Sequence, residues 1–377
     1  MEFFKFETVT EEGYISGGSP INGIRSARWV ERYRDPGEFE FRAPVSSRLR
    51  TLLPIGSFIS HVDSEEVMFV NSHHIDEDVT DREPEIVITG NTLDGWLKHR
   101  AVGGDIETYV LAGDRLFTNH FPYQMVMDTS WAQAVTLFDA HVTNTFAGND
   151  DDIPGWVAIS NQQHIGPTTS QARIIRHGPL NRAILELLAI DDFGIKIVRP
   201  NADNVDPTTT EFRIHNGIDR TADVIFSFAF GDIQNAEYFW TDDAMKTEYF
   251  CVSTYFELRS ADGPDGLNRR ILYVDCTDID GHLSDDEVVS SGLDATFGNL
   301  MDIRGQQALR TQQAKALLST NVNKATRYVF RKDYNVGDIV TVNGNYDVSS
   351  IKRVAEYVEF QDENGESGYP TLSAVNE

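Results

Sequence analysis

Alternation of apolar and charged residues marks the N-terminal part of the chain and predicts strands. Ala27-Arg28-Trp29-Val30-Glu31-Arg32-Tyr33-Arg34 and Glu38-Phe39-Glu40-Phe41-Arg42 flank Asp35-Pro36-Gly37, a turn-forming triplet. Successive strand side chains point to opposite faces, so this pattern predicts a hairpin with one buried face. A first strand is predicted over 3–9, ended by the turn-prone Gly17-Gly18-Ser19-Pro20. Further strands are predicted over 57–62, 66–73 and 85–89, with a short helix from Asn91. The period then changes. Trp131, Val135, Phe138 and Val142 recur at helical spacing behind Asp128 or Thr129 as N-cap, and a second helix is predicted from Pro179 through Ile184, Leu187 and Leu188 towards Gly194. Between the helices, 156–159 and 172–175 read as strands.

Beyond residue 195 the strand pattern returns, at 195–198, 211–215, 224–230, 249–258 and 270–275. The stretch 301–319, rich in Gln, Ala and Leu, predicts a surface helix; strands resume at 327–330, 339–342 and 351–360, with a tight turn at Asn343-Gly344. A faint internal echo joins Ile55-Gly56-Ser57-Phe58-Ile59 to Val336-Gly337-Asp338-Ile339-Val340, each a strand opened by glycine. The expected fold class is mainly β with inserted α, an α+β protein.

Composition narrows the partners. Of 377 residues, 40% are hydrophobic and 24% charged, values of a globular chain with material for two or more cores. Lys and Arg number 32 against 59 Asp and Glu, a net charge of −27. That excess makes the chain a poor sequence-independent ligand for phosphate backbones or anionic lipid, which reward clustered Lys and Arg. The start Met1-Glu2-Phe3-Phe4-Lys5-Phe6 lacks the basic and apolar regions of a signal peptide, and no apolar run is long enough to span a bilayer. Membrane insertion is therefore not expected. Cys251 and Cys276 are no disulfide framework; they suit a protein made in the cytosol, and their thiol or disulfide state stays open.

Candidate chemistry is sparse. Gly-x-Ser-x-Gly, Cys-x-x-Cys, His-Glu-x-x-His, the phosphate loop and the dinucleotide fingerprint are all missing. His73 and His74 are adjacent on a predicted strand and so face opposite ways. Asp278, Asp280, Gly281 and Glu287 match positions 3, 5, 6 and 12 of a calcium loop. Cys276 stands where the first carboxylate belongs, and a strand rather than a helix leads in, so an acidic turn is the competing reading. Asn149-Asp150-Asp151-Asp152 reads as a solvated loop. Arg173, Arg176 and His177, and the run from Arg327 to Lys332, read as strand faces paired with neighbouring acids rather than a nucleic-acid track. No catalytic, cofactor-binding or metal-ligating residue is assigned.

One ordered set of segments points to a family. Ser26 to Phe41, with its Asp-Pro-Gly turn, is followed by Leu52-Leu53-Pro54-Ile55-Gly56 and Gly90-Asn91-Thr92-Leu93. Gly217-Ile218-Asp219-Arg220-Thr221 and Val224-Ile225-Phe226-Ser227-Phe228 stand midway. Asp333-Tyr334-Asn335-Val336-Gly337-Asp338-Ile339-Val340-Thr341-Val342 and Glu359-Phe360-Gln361-Asp362-Glu363-Asn364-Gly365 close the set. The set resembles the tail hub proteins of long non-contractile-tailed phages, relatives of the trimeric central hub of contractile-tail baseplates. The resemblance implies two tail-tube-like β-barrel domains plus smaller α/β and β insertions. Laid on the strand and helix pattern, which itself marks 106–200 as a compact α/β unit, it divides the chain into a first barrel (1–105), an α/β domain (106–200), a second barrel (201–231 with 323–377) and an inserted β/helical domain (232–322).

The resemblance also implies a homotrimer at the virion tail tip, assembled in the host cytoplasm. Such a hub adapts a six-fold tube to a three-fold tip; the Gln-rich surface of the 301–319 helix suits a subunit contact and equally a solvated helix packed on its own domain. Its partners would be a distal tail protein or tail tube ring, the tape measure protein and tip fibre or receptor-binding proteins. Phage DNA would be met only as passing cargo. Because the last barrel-like strands run close to Glu377, the expectation is a hub without an appended enzyme. A virion-associated cell-wall hydrolase and a host-surface carbohydrate-binding tail protein are the alternatives.

Overall fold

The computed structural model describes residues 1–8, 15–45, 48–76, 84–102, 123–143, 156–158, 171–176, 178–189, 191–199, 210–241, 245–260, 266–277, 294–310, 315–324, 326–345, 348–363 and 365–375. Seven strands come first: β1 (Phe3–Thr8), β2 (Ile15–Pro20), β3 (Ser26–Arg32), β4 (Glu38–Pro44), β5 (Phe58–His61), β6 (Val67–Asp76) and β7 (Glu85–Thr92). Short helices α1 (Leu49–Leu52) and α2 (Leu93–Trp96) flank the last three. The strands pair antiparallel in the order β3-β4-β7-β6-β5-β1-β2. The predicted hairpin is present, with Ala27 opposite Phe41 and Trp29 opposite Phe39. Those four side chains, with Phe3, Ile59, Met68 and Ile88, form a buried core. Gly17-Gly18-Ser19-Pro20 departs from the expectation of a turn. It lies in β2, pairing Pro20 with Phe4. Proline lacks a ladder N–H and glycine packs little, but β2 is the sheet's end strand, where both are tolerated.

A second set of strands extends the same sheet from its other side. β15 (Ile225–Ser227) and β21 (Ile339–Asn343) lead to β22 (Ser349–Asp362), and β23 (Gly365–Ala374) pairs back along β22. The 14 residues of β22 reach about 46 Å at 3.3 Å per residue, enough for two partners in succession. On one edge Ser349 to Arg353 pairs with β21, and Glu356 to Gln361 then pairs with β3. The handover coincides with a bulge against β23 between Val354 and Glu356. Two separate closed barrels, the expectation above, are not found among the described residues. β22 instead joins both sets into one open 11-stranded sheet.

An α/β part packs on one side. It comprises β8 (Ala101–Val102), β9 (Tyr123–Asp128), α3 (Ser130–Phe138), β10 (Trp156–Ala158), β11 (Gln171–Arg176), β12 (Gly178–Pro179), α4 (Leu180–Leu188), β13 (Gly194–Val198) and β14 (Thr210–His215). Leu180, Ala183, Ile184, Leu187 and Leu188 recur at helical spacing on α4 and are buried with Leu137, Phe138, Phe212 and Ile195. The α3 stripe is rotated from its expected position. Ala134, Leu137 and Phe138 are buried, whereas Trp131 and Val135 are only partly covered. Phe138 stacks on Phe212 with centroids 4.2 Å apart, which sets the helix's rotation. The outward side of α4 carries Arg182 and Glu186 in an exposed pair at 2.7 Å. Exposed pairs at this spacing contribute little, so R182A should cost no more than about 0.5 kcal/mol in chemical denaturation.

The remaining elements hang from a two-stranded ribbon of β16 (Ile233–Thr241) and β20 (Lys315–Val322). At its far end β17 (Glu248–Val252), β18 (Glu257–Arg259) and β19 (Ile271–Asp275) form a small sheet, packed against α5 (Asp294–Arg310). The helix predicted over 301–319 thus begins earlier and ends at Arg310. Residues 315–319 are strand, because pairing with β16 outweighs the helix propensity of Ala316, Leu317 and Leu318. The predicted strand over 327–330 is also replaced, by turns and a single bridge from Phe330 to Tyr334. Gly56 and Gly337 both have positive φ (87° and 97°) just before β5 and β21, which explains the echo seen between their segments.

Candidate functional site

Around the handover point on β22 several charged residues from distant parts of the chain are bonded to one another. Tyr33 and Arg34, expected to continue β3, leave its ladder with β4 after Val30 and turn into this junction. The Tyr33 hydroxyl donates to the Asp192 carbonyl at 2.6 Å and lies 3.1 Å from the His215 carbonyl, while its backbone N–H donates to Ala355 O at 2.9 Å. Arg34 donates to Asp192 Oδ1 at 2.5 Å and to the Phe193 carbonyl at 3.2 Å. From β22, Arg353 donates to the Gly337 carbonyl at 2.5 Å, the Asn216 carbonyl at 2.7 Å and Asp192 Oδ2 at 2.6 Å. Its guanidinium also lies 4.5 Å from the Tyr33 ring centre. Asp192 therefore receives two guanidinium groups, one from the N-terminal hairpin and one from the C-terminal strand.

A second node lies two residues back along β3. Glu31, buried, accepts from Arg331 at 2.8 Å, from the Ser64 hydroxyl at 2.5 Å and from Trp29 Nε1 at 3.3 Å. Arg331 also holds Glu359 on β22 through two nitrogens, at 2.9 and 3.3 Å. Burial alone would raise the Glu31 carboxyl, but Arg331, then Lys196 and Ser64, hold it well below its ordinary value. Glu66 is pushed the other way. Burial and the neighbouring Glu31 charge outweigh the Lys196 ammonium 3.6 Å away. His61, packed against Phe3 and Trp29, is pushed down to about 4 by burial and then by Arg331.

Glu66 binds its proton more tightly when folded than when unfolded, so its stabilising contribution is complete below 4.5 and is lost as pH rises above that value. E66Q should flatten the fall of stability with rising pH, measured by urea denaturation at a series of pH values.

Backbone geometry singles out the same two nodes. Asp192 (φ 59°) and Arg331 (φ 64°) are the only non-glycine residues with positive φ among the described residues. Left-handed backbone is costly for such side chains and persists where surrounding bonds over-determine it. Gly217 (φ 69°) lies against Gly337, where an added Cβ would collide with the Gly337 carbonyl. Carboxylates facing fixed guanidinium groups can do one thing well here: lock three chain segments in one geometry. The N-terminal hairpin, the residues at Asp192 and His215 and the C-terminal strands meet as one joint.

The residues singled out in the sequence fall elsewhere. The His73 ring bonds the Leu53 carbonyl at 2.7 Å, tying β6 to the end of α1. Asp278, Asp280 and Glu287, like Asn149 to Asp152, lie outside the described residues. Among the described residues no group of three or more His, Cys, Asp or Glu could hold a metal ion, and no helix is long and apolar enough to cross a membrane. Arg331 and Arg327, from the basic run, pair with acids as expected, Arg327 with Asp232 at 3.7 Å. Arg353 and Asp192 were missed by sequence reasoning. No local signal marks them: in Ile351-Lys352-Arg353 it is the fold that leaves the isoleucine half exposed and buries both cations.

Comparison with known proteins places this architecture. The family model described as Siphovirus ReqiPepy6 Gp37-like protein matches residues 12–371. The chain belongs to this family of siphovirus tail proteins. As a family member it is a virion component.

Solved structures agree in fold along its whole length. It is similar to a tail protein from Neisseria meningitidis MC58 (TM-score 0.52, 12% identity, covering 99% of this chain and 97% of that one). It is similar to the 43 kDa tail protein of prophage MuSo2 from Shewanella oneidensis (0.55, 11%, 99% and 98%). It is also similar to prophage tail protein gp18 from Listeria monocytogenes EGD-e (0.53, 10%, 100% and 95%). No curated protein matches the sequence.

Proposed function

We propose that the protein is a structural hub at the distal end of a siphovirus tail and acts mechanically rather than as an enzyme. The observation that carries this reading is the family match over nearly the whole chain, joined to a chain-long likeness of fold to phage tail proteins. In this reading three copies form the hub, adapt the six-fold tube to a three-fold tip and carry fibre or receptor-binding proteins. A tube ring or distal tail protein and the tape measure protein meet it on the tail side. In this reading 1–105 and 201–231 with 323–377 supply the tube-facing strands, joined in one sheet, and 106–200 and 232–322 are the inserted parts.

Two features support the reading physically. Among the described residues the large sheet ends at β15 and β2 without closing, and an open edge is a template for strand pairing. Neighbouring copies would then complete what one chain leaves unclosed, in a closed ring. The net charge of −27 suits a channel wall past which DNA slides without sticking. The ionic joint matters here because a hub must transmit load between its tube-facing and tip-facing parts.

Sedimentation of the purified chain, alone and with its tail partners, tests the assembly. Trimers are expected in at least one of these conditions; a chain that stays monomeric in all of them contradicts the hub.

A further inference from the structure

Cys251 and Cys276 are remote in sequence and stand together in the small sheet of the insert. β17 and β19 run parallel, with Cys251 opposite Val274 and Val252 opposite Asp275. The Cys276 N–H donates to the Val252 carbonyl at 2.7 Å, which continues the ladder one residue past β19. Cys276 is two residues beyond Val274 and therefore projects to the same face as Cys251. Both thiols are fully buried there, beside Met301 of α5, and close enough that Cys276 pushes the Cys251 thiol up. The Cys251 thiol also lies 3.2 Å from the Met301 carbonyl oxygen.

We propose that Cys251 and Cys276 are a redox-responsive dithiol, reduced while the protein is made in the cytosol and closed to an intramolecular disulfide once the virion meets an oxidising medium. The proposal requires only that the protein leaves the cell with the virion; it does not depend on the hub role. A low-molecular-weight disulfide is the oxidant. One cysteine thiolate attacks it, forming a mixed disulfide and releasing one small thiol. The second cysteine thiolate then attacks the protein sulfur and releases the other small thiol. Two protein thiols thus lose two protons and two electrons, and one small disulfide becomes two thiols.

Two properties of the site fit a delayed reaction. Full burial keeps the oxidant out until α5 or β19 opens locally. Cys276 and burial both push the Cys251 thiol up, so little attacking thiolate is present. The bond would tie the end of β19 to β17 and close the chain between residues 251 and 276, a constraint that restricts the unfolded insert.

The test uses the full chain purified with reductant, then incubated with oxidised glutathione. Intact mass is read in denaturant after alkylation. The expected product is about 2 Da lighter than the reduced chain, takes up no alkylating group and unfolds at a higher temperature. C276A and C251A, each with one cysteine, should show no such temperature rise. Retention of two alkylatable thiols under conditions that oxidise a control dithiol overturns the proposal. So do stable glutathione adducts or disulfide-linked dimers of the unmodified sequence. The wild-type measurement stands even if a variant does not fold.

Discussion

R331M should lose about 3–5 kcal/mol of stability to urea, the cost typical of breaking a buried ion pair by removing one partner. The arginine serves two carboxylates at once, Glu31 at 2.8 Å and Glu359 at 2.9 Å. Methionine fills similar volume but leaves both acids facing each other in a site where Glu31 has only 4% of its surface exposed. Hydrogen bonds from Ser64 and Trp29 to Glu31 remain and cannot balance the charge. The double variant E31Q/R331M should recover part of the loss, since it removes the buried charge as well as its partner. A loss below about 1 kcal/mol for R331M would show the node to be a solvated surface pair instead.

G217A should cost about 2–4 kcal/mol, from two separable causes. Its φ of 69° is disfavoured for alanine, and the new methyl would collide with the Gly337 carbonyl that also accepts from Arg353. G23A separates the causes. Gly23 has φ of 88° with nothing within 4 Å of an added Cβ, so only the backbone preference is lost, about 1 kcal/mol. Equal losses in the two variants would mean that the Gly217–Gly337 approach relaxes freely and that the joint is not rigid.

Much of the sheet was legible in the sequence because local and tertiary preferences agree there. Trp29, Phe39 and Phe41 alternate with charges, and the same residues line the first core. On α4 the 3.6-residue spacing survives unchanged. Elsewhere a tertiary partner decided the outcome. Gly17 to Pro20 reads as a turn, yet β1 offers it a ladder at the sheet's end. Ala316 to Leu318 read as helix, yet β16 recruits them. The open sheet was invisible for a related reason. Nothing in Ser349 to Asp362 announces that one strand will pair first with β21 and then with β3.

The joint was the least legible feature. Its members come from residues 31–34, 192, 216, 331–337 and 353–359, so no window of sequence contains it. Tyr33 and Arg34 continue the alternation of β3 and look like more strand. Only the paired cores on either side make it favourable for them to turn away and bond Asp192. Lys352 and Arg353 read as outward charges until the fold inverts them. The charge total was legible at once, while the positions that bury charge were not.

Where the protein sits in the particle is read by imaging intact virions labelled for this chain. A hub places the label only at the distal tip of the tail, on a density of three-fold symmetry. Label repeating along the tail tube, or sitting on the capsid, would contradict it.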